Sequence, residues 1–173
     1  MYQLFTKRLA DLLKRLYRIK RSTMMRQYHR VLPSYELLND RWEKANYLGY
    51  GEGTSIYDSA TVFGEVAVGK NTWIGPFTIL DGSGRLSIGN NCSISTGVQL
   101  YSHDSVKWAV SGGTEKYEYA ATEIGNNCYI GPNSIVAKGV KLGNGCIVGA
   151  NSFVNKSFPD GSKVAGNPAR IIE

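Results

Sequence analysis

The chain has 173 residues, 42% hydrophobic and 20% charged, with a formal net charge of +6. That length suits one folded domain with an appendage, and no apolar run approaches the roughly 20 residues of a membrane-spanning helix. Charges run throughout the first twenty residues, so the expectation is a chain without a secretory signal, residing in the cytoplasm.

The charge is unevenly placed. Residues 1–30 hold nine Lys or Arg against the single Asp11, a formal +8, whereas the remainder has eleven basic and thirteen acidic residues. On a helical wheel Leu4, Phe5, Leu9, Leu12, Leu13, Leu16 and Ile19 share one face. Lys7, Arg8, Asp11, Lys14, Arg15, Arg18 and Arg21 share the other. Residues 1–50 therefore read as a basic amphipathic helical arm, suited to a membrane surface through residues 1–22, an acidic partner or packing on a trimer. Nucleic acid is not an expected partner. Pro33 breaks the arm, and Ser34 is placed to cap a second helix to about Lys44.

From Ile56 to Phe158 the sequence repeats every six residues. Aliphatic anchors fall at Ile56, Val62, Val68, Ile74 and Leu80, then Ile88, Ile94 and Leu100, and again at Ile124, Ile130, Val136, Leu142, Val148 and Val154. A small side chain follows most anchors four residues later, as at Ala60, Thr72, Thr78, Ser134 and Ser152. A helix, with its period of about 3.6, cannot keep such a series on one face. Ile124-Gly-Asn-Asn127 and Leu142-Gly-Asn-Gly145 lie eighteen residues apart, so three six-residue strands make one turn of a triangular prism. Residues 51–158 are thus expected to form a parallel β-helix, with coils stacked at about 4.8 Å. The arm could also cover strand edges at the end of that prism. Cys92, Cys128 and Cys146 share one small inward slot with Thr72 and read as core residues, neither disulfide nor metal ligands.

Two irregularities interrupt the repeat. Asp81-Gly-Ser-Gly-Arg85 inserts two residues, read as a bulge at a corner. Between Leu100 and Ile124 a loop, residues 106–123, leaves the prism carrying Trp108, Tyr117, Tyr119 and the Gly112-Gly113 pair, and reads as a binding arm. His103 stands at its departure point on a turn expected to face outward, whereas the other histidine, His29, lies in the basic arm and reads as a surface residue. Asp104 follows at an inward slot, unusual for a charge.

The hexapeptide repeat, Tyr101-Ser-His-Asp104 before an excursion, and the closing Gly166-Asn-Pro-Ala-Arg170 resemble the hexapeptide-repeat acyltransferases. The nearest branch is the galactoside and maltose O-acetyltransferases, with the bacterial polysaccharide O-acetyltransferases, over about residues 54–173. The resemblance implies a left-handed β-helix, a homotrimer, and acetyl-CoA in a groove between subunits, with no metal. It implies His103 as general base; beside it Asp104 is read as supporting the base or organising the loop or a corner, and Tyr101, Trp108, Asp81 and Tyr117 are read toward the acceptor. Tyr129, Gly131, Ala150, Asn155, Lys156 and Arg170 match cofactor positions, with residues 159–173 a cofactor-contacting segment. Where the galactoside enzymes carry an acceptor-binding Asn, this chain reads Gly75-Pro-Phe-Thr78, so a simple galactoside is not the expected acceptor. The expected activity is acetyl transfer to a sugar hydroxyl in surface polysaccharide synthesis, namely lipopolysaccharide, capsule or exopolysaccharide. The alternatives are N-acetylation of a nucleotide-linked amino sugar and a non-catalytic structural β-helix. A zinc-dependent β-helix enzyme would need three histidines, and the chain has two.

Overall fold

The computed structural model describes residues 2–173, with side chains from Leu4 onward. The chain divides after Asp40 into two compact units. In the first, one long helix, α1 (Tyr2–Tyr28), ends at His29, which takes a left-handed φ of 52° while its N–H bonds to Met25 O at 3.0 Å. The second helix expected from Ser34 to Lys44 is two helices, α2 (Ser34–Leu38) and α3 (Arg41–Tyr47). Asn39 separates them in extended conformation, and Ser34 is the first helical residue, behind Pro33 at the N-cap. Helix α3 packs on the first strand, Ser55–Ile56, so the compact boundary falls at Asp40, ahead of the expected residue 50.

The second unit is a parallel β-helix built from the six-residue repeat. Ile56, Ile74, Ile94, Ile130, Val148 and Val164 stack in register along one face, all wholly buried. Leu80, Leu100, Val136 and Val154 stack along a second, and Val68, Ile88, Ile124 and Leu142 along the third. With three stacks meeting at the axis, each coil presents one aliphatic side chain per face, and the six-residue spacing follows. Edges require a left-handed residue, supplied by Asn71, Asn91, Asn127, Asn133 and Asn151 at φ between 54° and 59°. A neighbouring Asn ladder ties the coils: Asn126 Oδ1 accepts from Asn90 N, and Asn144 Oδ1 from Asn126 N, each at 2.8 Å. Inside, the Cys92, Cys128 and Cys146 thiols each donate to a carbonyl of the following coil at 3.1–3.2 Å.

Helix α3 closes the first coil. Lys44 Nζ donates to the carbonyls of Tyr57, Asp58 and Ala60 at 2.9–3.0 Å, satisfying acceptors at an edge that no preceding coil covers.

Both interruptions fall at the edge between the second and third faces. The strands Thr61–Val68 and Ile79–Ile88 run side by side across it, and the register passes from Gly64↔Gly82 to Val66↔Leu86. Glu65 therefore faces the three residues Ser83–Arg85, the inserted pair forming a bulge. One coil later the chain leaves the prism earlier than expected. His103–Asp104 already pairs antiparallel with Glu118–Tyr119 outside it, beyond which lies a short helix, α4 (Val106–Val110). The strand Thr122–Ile124 is back on the third face, so Thr122 and Glu123, expected in the loop, belong to the prism. Buried Thr122 lies beside Leu86 in the column of small inward positions. Asp104, expected inward, does not occupy that slot, because a carboxylate there would be desolvated among Leu86 and Val140.

Candidate active site

The bulge and the excursion bring Asp81 and His103 together. Asp81 is 1% exposed, and its Oδ2 accepts the Ser102 and His103 backbone N–H groups at 2.9 and 3.2 Å. The same oxygen lies 2.6 Å from His103 Nδ1, while Oδ1 accepts Ser83 N at 3.0 Å. Burial by itself raises the Asp81 carboxyl, but hydrogen bonds from Ser83, Ser102 and His103 together outweigh it and hold the group at about 2. An ionised Asp81 accepts from Nδ1–H, and in the neutral imidazole that tautomer places the lone pair on Nε2.

The turn carrying the histidine is fixed from both sides. Gly84 N donates to buried Ser102 Oγ at 2.7 Å, and a Cβ at Gly84 would collide with the Ser102 carbonyl. Thr122 Oγ1 donates to Tyr101 O at 2.7 Å, where the excursion returns.

Aromatic rings surround the partly exposed imidazole. Tyr119 and Tyr117 lie near parallel to it with centroids at 5.8 and 6.3 Å, and Trp108 stands edge-on to Tyr117 at 5.6 Å. A salt-bridge cluster holds this wall down: Lys138 Nζ reaches Asp104 at 2.6 Å and Glu118 at 3.2 Å, and Lys107 reaches Glu118 at 2.7 Å. Lys138 draws the Asp104 carboxyl below its ordinary value, and Lys107 and Lys138 do the same for Glu118.

Two expectations need correction. Asp81, assigned to the acceptor, is buried beneath His103 with both oxygens engaged, and so orients the imidazole rather than meeting a ligand. Asp104, assigned to support the histidine, instead binds Lys138 and the Val106 N–H, which anchors the excursion. Tyr117 lies beside His103 with Trp108 against Tyr117, and half-buried Tyr101 spends its hydroxyl on Gln99 at 2.8 Å. Sequence reasoning passed over Lys138, which carried no signal beyond a surface charge, and counted Tyr119 only as part of the loop.

The expected cofactor residues do not converge within one chain. Tyr129 is exposed on the first face. Gly131 and Ala150 meet at the edge between first and second faces, where a Cβ on Gly131 would stand 2.6 Å from Ala150 N. Asn155 and Lys156 follow the strand Phe153–Val154, on the edge that carries His103 two coils earlier. Arg170 lies on a terminal hairpin and donates to Ala169 O at 2.9 Å. A groove of about 600 Å3 runs along the third face past Lys141 and Phe158, and the Lys156 ammonium sits 5.4 Å from the Phe158 ring centre. Among the described residues no group of three His, Cys, Asp or Glu comes together as a metal site.

A profile described as bacterial transferase hexapeptide (six repeats) matches residues 121–156. The matched residues lie within the β-helix and carry the same six-residue repeat as the rest of it. The fold is the left-handed parallel β-helix of solved hexapeptide-repeat structures, with an excursion and an N-terminal helix. Protein CapG of Staphylococcus aureus is 46% identical over 92 residues, covering 51% of this chain and 52% of its own. The chain spans about half the length of the curated relatives it matches. A hexapeptide-repeat containing acetyltransferase from Vibrio cholerae superposes over 91% of both chains, with a TM-score of 0.58 and 20% identity. AntD, an N-acyltransferase from Bacillus cereus, solved with dTDP and 3-hydroxybutyryl-CoA, covers 76% of this chain and 86% of its own at a TM-score of 0.64 and 21% identity. At these identities the two structures speak for the fold.

Proposed function

We propose that this protein is a cytoplasmic, acetyl-CoA-dependent acetyltransferase that acetylates a sugar hydroxyl during surface polysaccharide synthesis. The observation that carries the reading is the Asp81–His103 pair, in which the carboxylate engages Nδ1 and not Nε2, beside an aromatic wall. His103 Nε2 takes the acceptor's hydroxyl proton as that oxygen bonds to the thioester carbonyl carbon. The carbon–sulfur bond then breaks, and the proton on Nε2 passes to the departing thiolate. No cysteine is required, since all three are buried in the prism. Tyr117, Tyr119 and Trp108 offer rings suited to the apolar face of a pyranose.

The residues present suit the co-substrate. Lys156 lies over the ring of Phe158, which lines a groove, about 10 Å along the prism axis from His103 at two coil spacings, and its cation is matched to phosphate. Because Tyr129, Gly131 and Ala150 lie elsewhere on the prism, a groove shared between neighbouring copies of a homotrimer reconciles both sets. The resemblance to AntD favours a second reading, N-acetylation of a nucleotide-linked amino sugar, with the same base and the same order of steps.

Thiol release from acetyl-CoA, measured across free sugars, nucleotide-sugars and amino-sugar nucleotides, separates the two. A hydroxyl acceptor is expected to turn over. Exclusive turnover of an amino sugar would replace the first reading by the second. His103→Ala is expected to lower turnover by about 100-fold or more with CoA affinity retained, and near-normal turnover would remove His103 from the reaction.

A further inference from the structure

Helix α1 is unlike the rest of the molecule. Leu4, Phe5, Leu9, Leu12, Leu16 and Ile19 lie on one stripe, and each is between 39% and 64% exposed. The helix has no acidic residue in its first turn, which leaves the positive end of its dipole uncompensated. No helix among the described residues is long and apolar enough to cross a membrane. A stripe covered by another copy of α1 would need acids to meet its bases, as flanking positions of helix pairs usually supply. Residues 1–30 provide one acid against nine bases, so copies brought together would repel.

We infer that α1 is an interfacial helix that lies on an anionic lipid surface, its leucine stripe in the acyl boundary and its arginines among the headgroups. The pairing of a broad apolar face with dense positive flanks is the combination that such a surface recognises, through both buried area and charge. At 27 residues the helix is about 40 Å long, so its whole stripe can lie in the interface plane. The inference is independent of which acceptor is acetylated.

The test uses the full chain with vesicles of phosphatidylcholine alone or with 30% phosphatidylglycerol, read by co-sedimentation. Binding is expected only to the anionic vesicles, weakening as salt rises from about 0.05 to 0.5 M. Neutralising Arg8 and Arg15 together to Gln is expected to weaken partitioning about 30-fold, at about five-fold per basic residue. Leu12→Glu with Leu16→Glu is expected to abolish binding while light scattering gives the wild-type mass. The inference is overturned if the wild type ignores anionic vesicles at low salt or binds both vesicle types equally. It is overturned equally if the Leu→Glu pair changes the oligomeric mass while vesicle binding persists, since the stripe would then be a protein contact.

Discussion

Asp81 and His103 are separated by twenty-two residues of chain and by 2.6 Å of space, and one carboxylate oxygen holds the ring and the two backbone N–H groups of the turn beneath it. Orientation and tautomer of the histidine therefore depend on a single buried side chain. Asp81→Asn keeps the shape but offers Nδ1 a mixture of donor and acceptor. Turnover is expected to fall about 100-fold or more, and the double variant with His103→Ala should be little worse than His103→Ala alone. Independent losses that multiply would separate the two residues.

The same carboxyl sets an acid limit. Its folded value, about 2, lies below the ordinary 3.8, so its stabilisation is complete above pH about 4. That stabilisation fades as pH falls toward 2. Urea unfolding midpoints measured between pH 5 and 2 should drop in the wild type and drop less steeply in Asp81→Asn. Parallel slopes would mean that the carboxyl is not held low.

Much of this arrangement was open to sequence reading, and the missing part has a definite cause. The hexad series identified the faces, the coils and the column of cysteines, because burial at the axis imposes a strict spacing. It also located His103, the histidine of the repeat. Leu80 and Leu100 are register partners, which sets Asp81 against Tyr101, one residue short of the turn. The inserted pair at Ser83–Arg85 hid this relation, since it looked like a surface corner rather than the device that buries Asp81. Asp104 misled for the opposite reason. Its slot follows from counting six, and the chain stops counting at Ser102, where pairing with Glu118–Tyr119 takes over.

Lys138 pins the excursion through Asp104 and Glu118. Lys138→Met should loosen it, raising KM for the acceptor about ten-fold with a smaller effect on turnover. Trypsin cleavage after Lys107 and Lys116 should accelerate in parallel. Unchanged cleavage would show that the aromatic wall holds without the clamp.

The cysteine column continues as Thr72 before it and Ser162 after it, both buried. A hydroxyl can therefore replace a thiol in the same hydrogen bond. Cys128→Ser is expected to keep acetyl transfer within about two-fold and to lower stability by no more than about 1.5 kcal/mol. Loss of activity without unfolding would reopen a covalent route.

Lys44 satisfies three carbonyls with one cation. Removing it in Lys44→Met leaves those acceptors with a methyl group, at a cost of about 2 kcal/mol. The thermal midpoint should fall by about 4–8 °C with His103-dependent turnover unchanged at low temperature. A midpoint unmoved by the substitution would mean that water caps the first coil equally well.

The excursion is also closed at its base. Ala120 N donates to Ser102 O at 2.9 Å, and Thr122 answers to Tyr101, so the departing and returning strands are stitched together before the prism resumes. Residues 105–117, beyond the paired strands His103–Asp104 and Glu118–Tyr119, can change length without disturbing a single coil, since doubling a loop adds only about 0.6 kcal/mol of closure entropy. The fold thereby separates two evolutionary variables. The imidazole stays bound to Asp81 on rigid ground while the loop beyond it drifts freely, and a lineage can remodel the wall beside His103 by editing one detachable insert.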